Sequence, residues 1–189
     1  MTRTRVLALD LALRKSGVCS PDGETSVLRS SKDSSGMQRL CEIVSGLRSL
    51  LDEHRPDVVT IEGYSYGSSS NNLVQFGELG GLVRMLVLCT YELPMLVVPP
   101  GSLKRYATGS GNADKTQVVV AARERLGFAR TDADEADALW LWAFGVEHSD
   151  GEAVVRLPKT HRVAVLGAQR LAPLDEQSDL LERPREAST

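Results

Sequence analysis

Two aspartates one helical turn apart, Asp134 and Asp137, stand in the stretch Thr131-Asp132-Ala133-Asp134-Glu135-Ala136-Asp137-Ala138-Leu139-Trp140, beside an apolar run. Residues three apart share a helix face, so the two carboxylates crowd one side. Like charges that close raise each other's pKa unless a cation sits between them, and hard divalent cations such as magnesium or manganese take oxygen ligands of this kind. Helix capping offers a plainer account, because Thr131 followed three residues on by Asp134 has the form of a capping box. That account covers Asp134 and leaves Asp137 without a purpose.

Two more acids close apolar runs, Asp10 after Val6-Leu7-Ala8-Leu9 and Glu62 after Val58-Val59-Thr60-Ile61. Each is either a solvated strand end or a group held at the sheet edge for chemistry, and in sheets with helical crossovers the C-terminal strand ends are where sites are built. Basic residues follow a similar logic. Lys104 and Arg105, in Ser102-Leu103-Lys104-Arg105-Tyr106-Ala107 ahead of the glycine-containing loop 108–112, suit a phosphate backbone or simply a solvated loop. Lys115 lies in the first turn of a helix capped by Asp114, where a cation opposes the helix dipole unless it meets an anion. Tyr64 and Tyr66, in the Gly/Ser/Tyr/Asn loop 63–72, either pack over the sheet edge or stack on bases.

The elements needed to position these residues follow from periodicity. Strands are expected over 6–11, about 17–20 and 25–29, with the turn signal Pro21-Asp22-Gly23-Glu24 between the last two, giving an antiparallel meander. Met37, Leu40, Cys41, Val44, Leu47, Leu50 and Leu51 have helical spacing, and that helix ends near Pro56. Strands at 57–62 and 94–98 flank a long helix, 73–92, that is apolar nearly all round and so must be covered on more than one side, by its own sheet and a partner subunit or by close packing within one chain. Helices at 115–126 and 132–147 complete a domain spanning 1–147. Residues 148–189 turn polar, with Pro158, Pro173 and Pro184, and read as a C-terminal extension, partly helical around Lys159 to Leu166 or disordered.

Composition sets the remaining bounds. The 189 residues are 42% hydrophobic, enough for one globular domain with a tail, and the net charge of −3 lacks the global basic footprint of many nucleic-acid binders. Carboxylates gathered at a site can hide a local basic groove in that sum. Cys19, Cys41 and Cys89 are far apart and form no CxxC pair, and His148 and His161 have no neighbouring ligand pattern, so no zinc site or disulfide framework is expected. Neither a signal peptide nor a membrane-spanning run is expected, which places the chain in a reducing cytoplasm, of a bacterium or an infected host.

Right-handed crossovers put the fourth and fifth strands parallel to the first, so Asp10 and Glu62 end side by side, and a helix laid across that end brings Asp134 and Asp137 to meet them. Four converging carboxylates without histidine or cysteine suit a site for two magnesium or manganese ions and phosphodiester hydrolysis. In Leu9-Asp10-Leu11-Ala12 with Ser16-Gly17, Ile61-Glu62, the segment Lys104 to Val118 with Ala113-Asp114-Lys115-Thr116-Gln117-Val118, and Asp134-Glu135-Ala136-Asp137-Ala138-Leu139, the chain resembles the RuvC family of Holliday-junction resolvases among the RNase H-like nucleases. The likeness runs in order from about Val6 to Glu147.

That resemblance implies an α/β fold with an RNase H-like five-stranded mixed sheet, three strands antiparallel and two parallel, flanked by helices. It implies that Asp10, Glu62, Asp134 and Asp137 hold two metal ions per active site, and that Lys104 and Lys115 lie near the DNA backbone and the scissile phosphate, where Lys115 assists catalysis. It also implies a homodimer joined through helix 73–92, acting on four-way junctions by paired nicks. Bacterial members carry a phenylalanine three residues after the second acid, where this chain has Ser65 flanked by Tyr64 and Tyr66. Bacteriophage relatives accept flaps and forks as well, and a general debranching nuclease is the alternative. A non-catalytic junction binder would keep four repelling acids to no use. An RNA·DNA hybrid nuclease shares the acids and lacks the lysine segment, and a sugar-kinase or actin-like lobe needs a second phosphate motif absent here.

Overall fold

The computed structural model describes residues 3–63 and 73–173. Its sheet is laid about β1 (Val6–Asp10). Val6 and Ala8 enter one apolar core and Leu7 and Leu9 the other, all four fully buried. That is the mark of a strand covered on both faces. β2 (Lys15–Cys19) returns antiparallel to β1, and β3 (Thr25–Arg29) pairs antiparallel with β2. Gly23, at φ 84°, turns the chain between them.

α1 (Gly36–His54) buries Leu40, Ile43, Leu47 and Leu51 at helical spacing against the Leu7/Leu9 face. It stops where Arg55 adopts a left-handed conformation ahead of Pro56. β4 (Val58–Glu62) then runs parallel to β1, and β5 (Met95–Val98) parallel to β4. The expected five strands are joined by a sixth, β6 (Gln169–Leu171), antiparallel to β5, so the sheet order is β3-β2-β1-β4-β5-β6. A strand of three residues carries no alternation from which to read it.

Between β4 and β5, α2 (Leu73–Arg84) passes into a π-helical segment, Met85–Thr90. Contrary to expectation, Leu73–Thr90 is by length and composition a run able to cross a membrane, and a third of it is buried in this chain. Leu79, Val83, Leu86, Val87 and Leu88 face the core, whereas Leu73, Val74 and Met85 lie more than half exposed.

The other face of the sheet carries α3 (Pro100–Thr108), α4 (Lys115–Leu126) and α5 (Ala133–Asp150). From Glu135 to Glu147 every residue of α5 except Asp137 is buried. Such a helix must be enclosed by sheet and helices together. Two glycines allow its close approach. A Cβ on Gly145 would strike the Thr60 hydroxyl and Val6, and one on Gly17 of β2 would strike the Asp134 carbonyl. Trp140 and Phe144 meet Tyr106 of α3 edge-on, with ring centroids 5.9 and 5.2 Å apart.

Residues 151–173 turn back over this layer. Leu157, His161 and Ala164 are buried, the last two on α6 (Lys159–Arg162) and the 3-10 turn that follows it. Arg162 pairs with buried Glu147, whose other carboxylate oxygen accepts the Tyr106 hydroxyl at 2.8 Å, and His161 Nδ1 lies 3.0 Å from the Tyr106 carbonyl oxygen. Overpacking at the α5–sheet contact should be costly. Gly145→Ala is expected to lower stability by about 2 kcal/mol, measured by chemical denaturation, with the secondary structure of the folded state unchanged.

Candidate active site

The register that pairs Leu9 with Ile61 makes the next residues of the two parallel strands, Asp10 and Glu62, leave the sheet side by side. α5 starts over the same end. Its cap is Asp132 and not the expected Thr131: the Asp132 carboxylate accepts the backbone N–H groups of Asp134 and Glu135. With Gly17 letting the first turn settle onto β2, Asp134 and Asp137 are delivered toward the strand ends. Glu135 points the other way, buried, accepting the Thr25 hydroxyl at 2.7 Å and an Arg130 N–H at 2.6 Å.

The acids feel one another. Burial pushes Asp10 up to about 8, with the charges of Glu62, Asp137 and Asp134 adding to the rise and Lys115 opposing it. Burial and Asp137 push Glu62 up to about 7 against Lys104 and Lys115. Asp137 is pushed up to about 6 by burial and Asp134, with both lysines opposing. All four carboxylates, Asp10, Glu62, Asp134 and Asp137, together with Lys104 and Lys115, therefore share one electrostatic neighbourhood.

Lys115 projects from the first turn of α4. Asp114 caps that helix through the Gln117 N–H while the Gln117 side chain accepts the Asp114 N–H. Lys115 Nζ lies 3.4 Å from Asp134 Oδ1 with the side chain 70% exposed, so it borders both the acids and solvent. Its pKa is raised: burial acts downward, and the charges of Asp134, Asp137 and Asp10 outweigh it. Lys104 is half-buried on α3, and Arg105 beside it is exposed. Tyr64 and Tyr66 fall outside the described residues.

One residue at the site was not anticipated. Lys15 Nζ sits 2.6 Å from Asp132 Oδ1 and 2.9 Å from Asp134 Oδ2. Alternation along β2 puts Lys15 on the same face as Gly17, and Gly17 touches α5. That pairing was readable only once the docking of α5 on β2 was known.

The donor chemistry of this cluster suits a hard divalent cation: carboxylate oxygens, from acids of which three have pKa values raised by burial and mutual repulsion, a strain that a cation would relieve. Among the described residues no three acids, histidines or cysteines stand close enough to clasp an ion as they are, and Asp134 is engaged by ammonium groups instead.

The family model described as crossover junction endodeoxyribonuclease RuvC matches residues 22–145, a span that includes Glu62, Asp134 and Asp137 and begins after Asp10. The RuvC of Frankia casuarinae (strain DSM 45818 / CECT 9043 / HFP020203 / CcI3) is 32% identical over 148 residues, covering 72% of this chain and 86% of that protein. The RuvC of Saccharopolyspora erythraea is 30% identical over 195 residues, covering 97% and 94%. Among solved structures, Thermus thermophilus RuvC superposes with a TM-score of 0.64 at 19% identity, over 80% of this chain and 99% of that one. T. thermophilus RuvC in complex with Holliday junction substrate superposes with a TM-score of 0.60 at 20% identity, over 81% and 99%.

The folded values of Asp10, Glu62 and Asp137 all lie above those of free carboxyls, so without a cation the folded chain keeps protons that the unfolded chain has released. Their contribution to stability is fully present below about pH 4 and is lost as pH rises from there through the folded values of about 6 to 8. In chelator, the melting temperature is expected to fall across that range, and Asp10→Asn should flatten the fall; thermal melts at half-unit pH steps measure both.

Proposed function

The chain belongs to the RuvC family of crossover junction endodeoxyribonucleases, and we propose that it is a metal-dependent, structure-specific endonuclease that resolves Holliday junctions by paired nicks. The observation carrying this reading is the crowding of Asp10, Glu62 and Asp137, whose pKa values burial and mutual repulsion push up to about 8, 7 and 6, against Asp134 and beside Lys104 and Lys115. A cluster of that kind is a cation site with phosphate-binding groups at its rim.

In this reading Asp10, Glu62, Asp134 and Asp137 hold two magnesium or manganese ions. When bound, such ions supply the polarisation of a phosphate and an attacking water that phosphodiester hydrolysis needs. The chain's own residues do the rest. Lys115, exposed beside Asp134, faces the phosphate being cut and offsets negative charge that grows there. Lys104 and Arg105 on α3 hold the flanking backbone, which positions the strand and carries no sequence preference. Burial around Asp10, Glu62 and Asp137 limits water at the site and strengthens each of these charge contacts.

A second copy completes the assembly. Leu73, Val74 and Met85 present an apolar surface along 73–90 that suits an isologous dimer, and two such sites face two strands of one branched DNA. The protein then works in the cytoplasm. Flaps and forks are the second substrate class, favoured by Ser65 standing where bacterial members place a stacking phenylalanine.

Cleavage of labelled four-way junctions, flaps, forks and linear duplex in magnesium or manganese tests the reading. Symmetric nicks on the junction are expected, lowered about 10²-fold or more in Asp10→Asn. Lys115→Ala should lower cleavage by about 10²-fold with a smaller loss of junction binding. Flaps and forks cut as well as junctions would make it a general debranching nuclease, and binding without cutting in either metal would leave only a junction binder. Val74→Glu should shift the chain from dimer to monomer in sedimentation velocity and abolish paired nicking.

A further inference from the structure

We propose that Lys15 is a resident competitor for the metal site: its ammonium holds Asp134 in the cation-free protein and gives it up to a divalent cation, with Asp132 retaining the lysine. The inference rests on the carboxylate-site reading above and goes beyond it, because it concerns a residue to which neither the sequence reading nor the family resemblance gives a role.

The geometry is that of a cation shared between two anions. Lys15 Nζ is 2.6 Å from Asp132 Oδ1 and 2.9 Å from Asp134 Oδ2, and all three side chains are about a quarter exposed, 26%, 26% and 24%. Lys115 also faces Asp134, at 3.4 Å, but its side chain is 70% exposed. Lys15 is therefore the closer and more constrained occupant. It rises from a strand locked between β1 and β3, opposite Arg29, so its stem has little freedom to leave. Asp132 is anchored as well, since it caps α5 through two backbone N–H groups.

The two carboxylates are not equivalent. Asp134 lies in the neighbourhood of Asp10 and Asp137, whereas among the described residues Asp132 accepts only from Lys15 and from its own helix. A doubly charged cation attracts Asp134 more strongly than an ammonium does. When Asp134 turns to it, Lys15 still has a full counter-charge in Asp132 and is not left unpaired. Loss of the Asp134 contact then costs little, as expected for one arm of a partly exposed pair. Lys15 acts here as a positioning residue. It keeps Asp134 from swinging free while the site is empty, and it sets the cation concentration at which the site fills.

Manganese binding followed by the electron paramagnetic resonance signal of the free ion tests this without any reaction. Wild type, Asp10→Asn, Lys15→Met and Lys32→Met are compared at about 0.15 M salt. Lys32 is an exposed lysine that controls for simple loss of one positive charge. Lys15→Met should bind manganese about threefold to tenfold more tightly than wild type, and Lys32→Met should not. Equal or weaker binding by Lys15→Met overturns the proposal while leaving the carboxylate site intact. Manganese binding that is absent in wild type, or undiminished in Asp10→Asn, overturns the carboxylate-site reading and this inference with it.

Asp132→Asn decides the matter if Lys15→Met does not fold, because asparagine preserves a capping acceptor while removing the lysine's alternative partner. Its manganese affinity should fall several-fold. Where Lys15→Met does fold, adding Asp132→Asn to it should have no further effect, since the coupling runs through the lysine. An unchanged affinity in Asp132→Asn alone counts against the competitor.

Discussion

How closely α5 lies on the sheet determines everything at this site. At one end Gly17 leaves room for the Asp134 carbonyl, and at the other Gly145 leaves room for Thr60 and Val6. Between them the helix is buried along almost its whole length, with Trp140 and Phe144 wedged against Tyr106. That apolar contact works against electrostatics: it drives Asp134 and Asp137 toward Asp10 and Glu62, a gathering the acids alone would resist. Protonation of Asp10, Glu62 and Asp137 is one way to relieve the repulsion, and a cation is another. The lysines on β2, α3 and α4 form an incomplete third way.

The fold was readable wherever one physical signal dominated. Apolar runs closed by a carboxylate marked β1 and β4, helical spacing marked α1, and Asp114 as a cap marked the start of α4, whose span of 115–126 the structure reproduces. Right-handed crossover then sufficed to put Asp10 beside Glu62. What escaped depended on contacts distant in sequence. β6 exists because β5 offers an edge, and its three residues have no pattern of their own. Asp132 displaced Thr131 as the cap because the first turn of α5 is fixed by β2, so the residue that reaches the free N–H groups is chosen by docking. Lys15 escaped for the same reason, its partners being 117 and 119 residues away in the chain. The π-helical turn at Met85–Thr90 followed no composition rule, since its residues continue the apolar pattern of α2 without a break.

The two faces of the molecule are differently specialised. The Leu7/Leu9 side holds α1 and α2, and among its exposed residues Leu73, Val74 and Met85 form the apolar part. The Val6/Ala8 side holds α3, α4 and α5, and beside the acids it leaves the charged Lys115 exposed. A net charge of −3 hides this division, because basic groups at the rim are cancelled by acids inside it. An average over the whole chain conceals the local field that matters for an anionic polymer.

β6 also bears on how the protein is made. Until residues 169–171 have been synthesised, β5 presents an unpaired edge whose other side is already zipped to β4. A growing chain in that state is a template for another strand. The same late segment brings Arg162 to the buried Glu147 carboxylate, so that charge too waits for its partner. Translation that stalls anywhere between the end of α5 and residue 168 would therefore leave a nascent chain with its helices placed but its sheet open at one margin, a species that chaperones would have to shield.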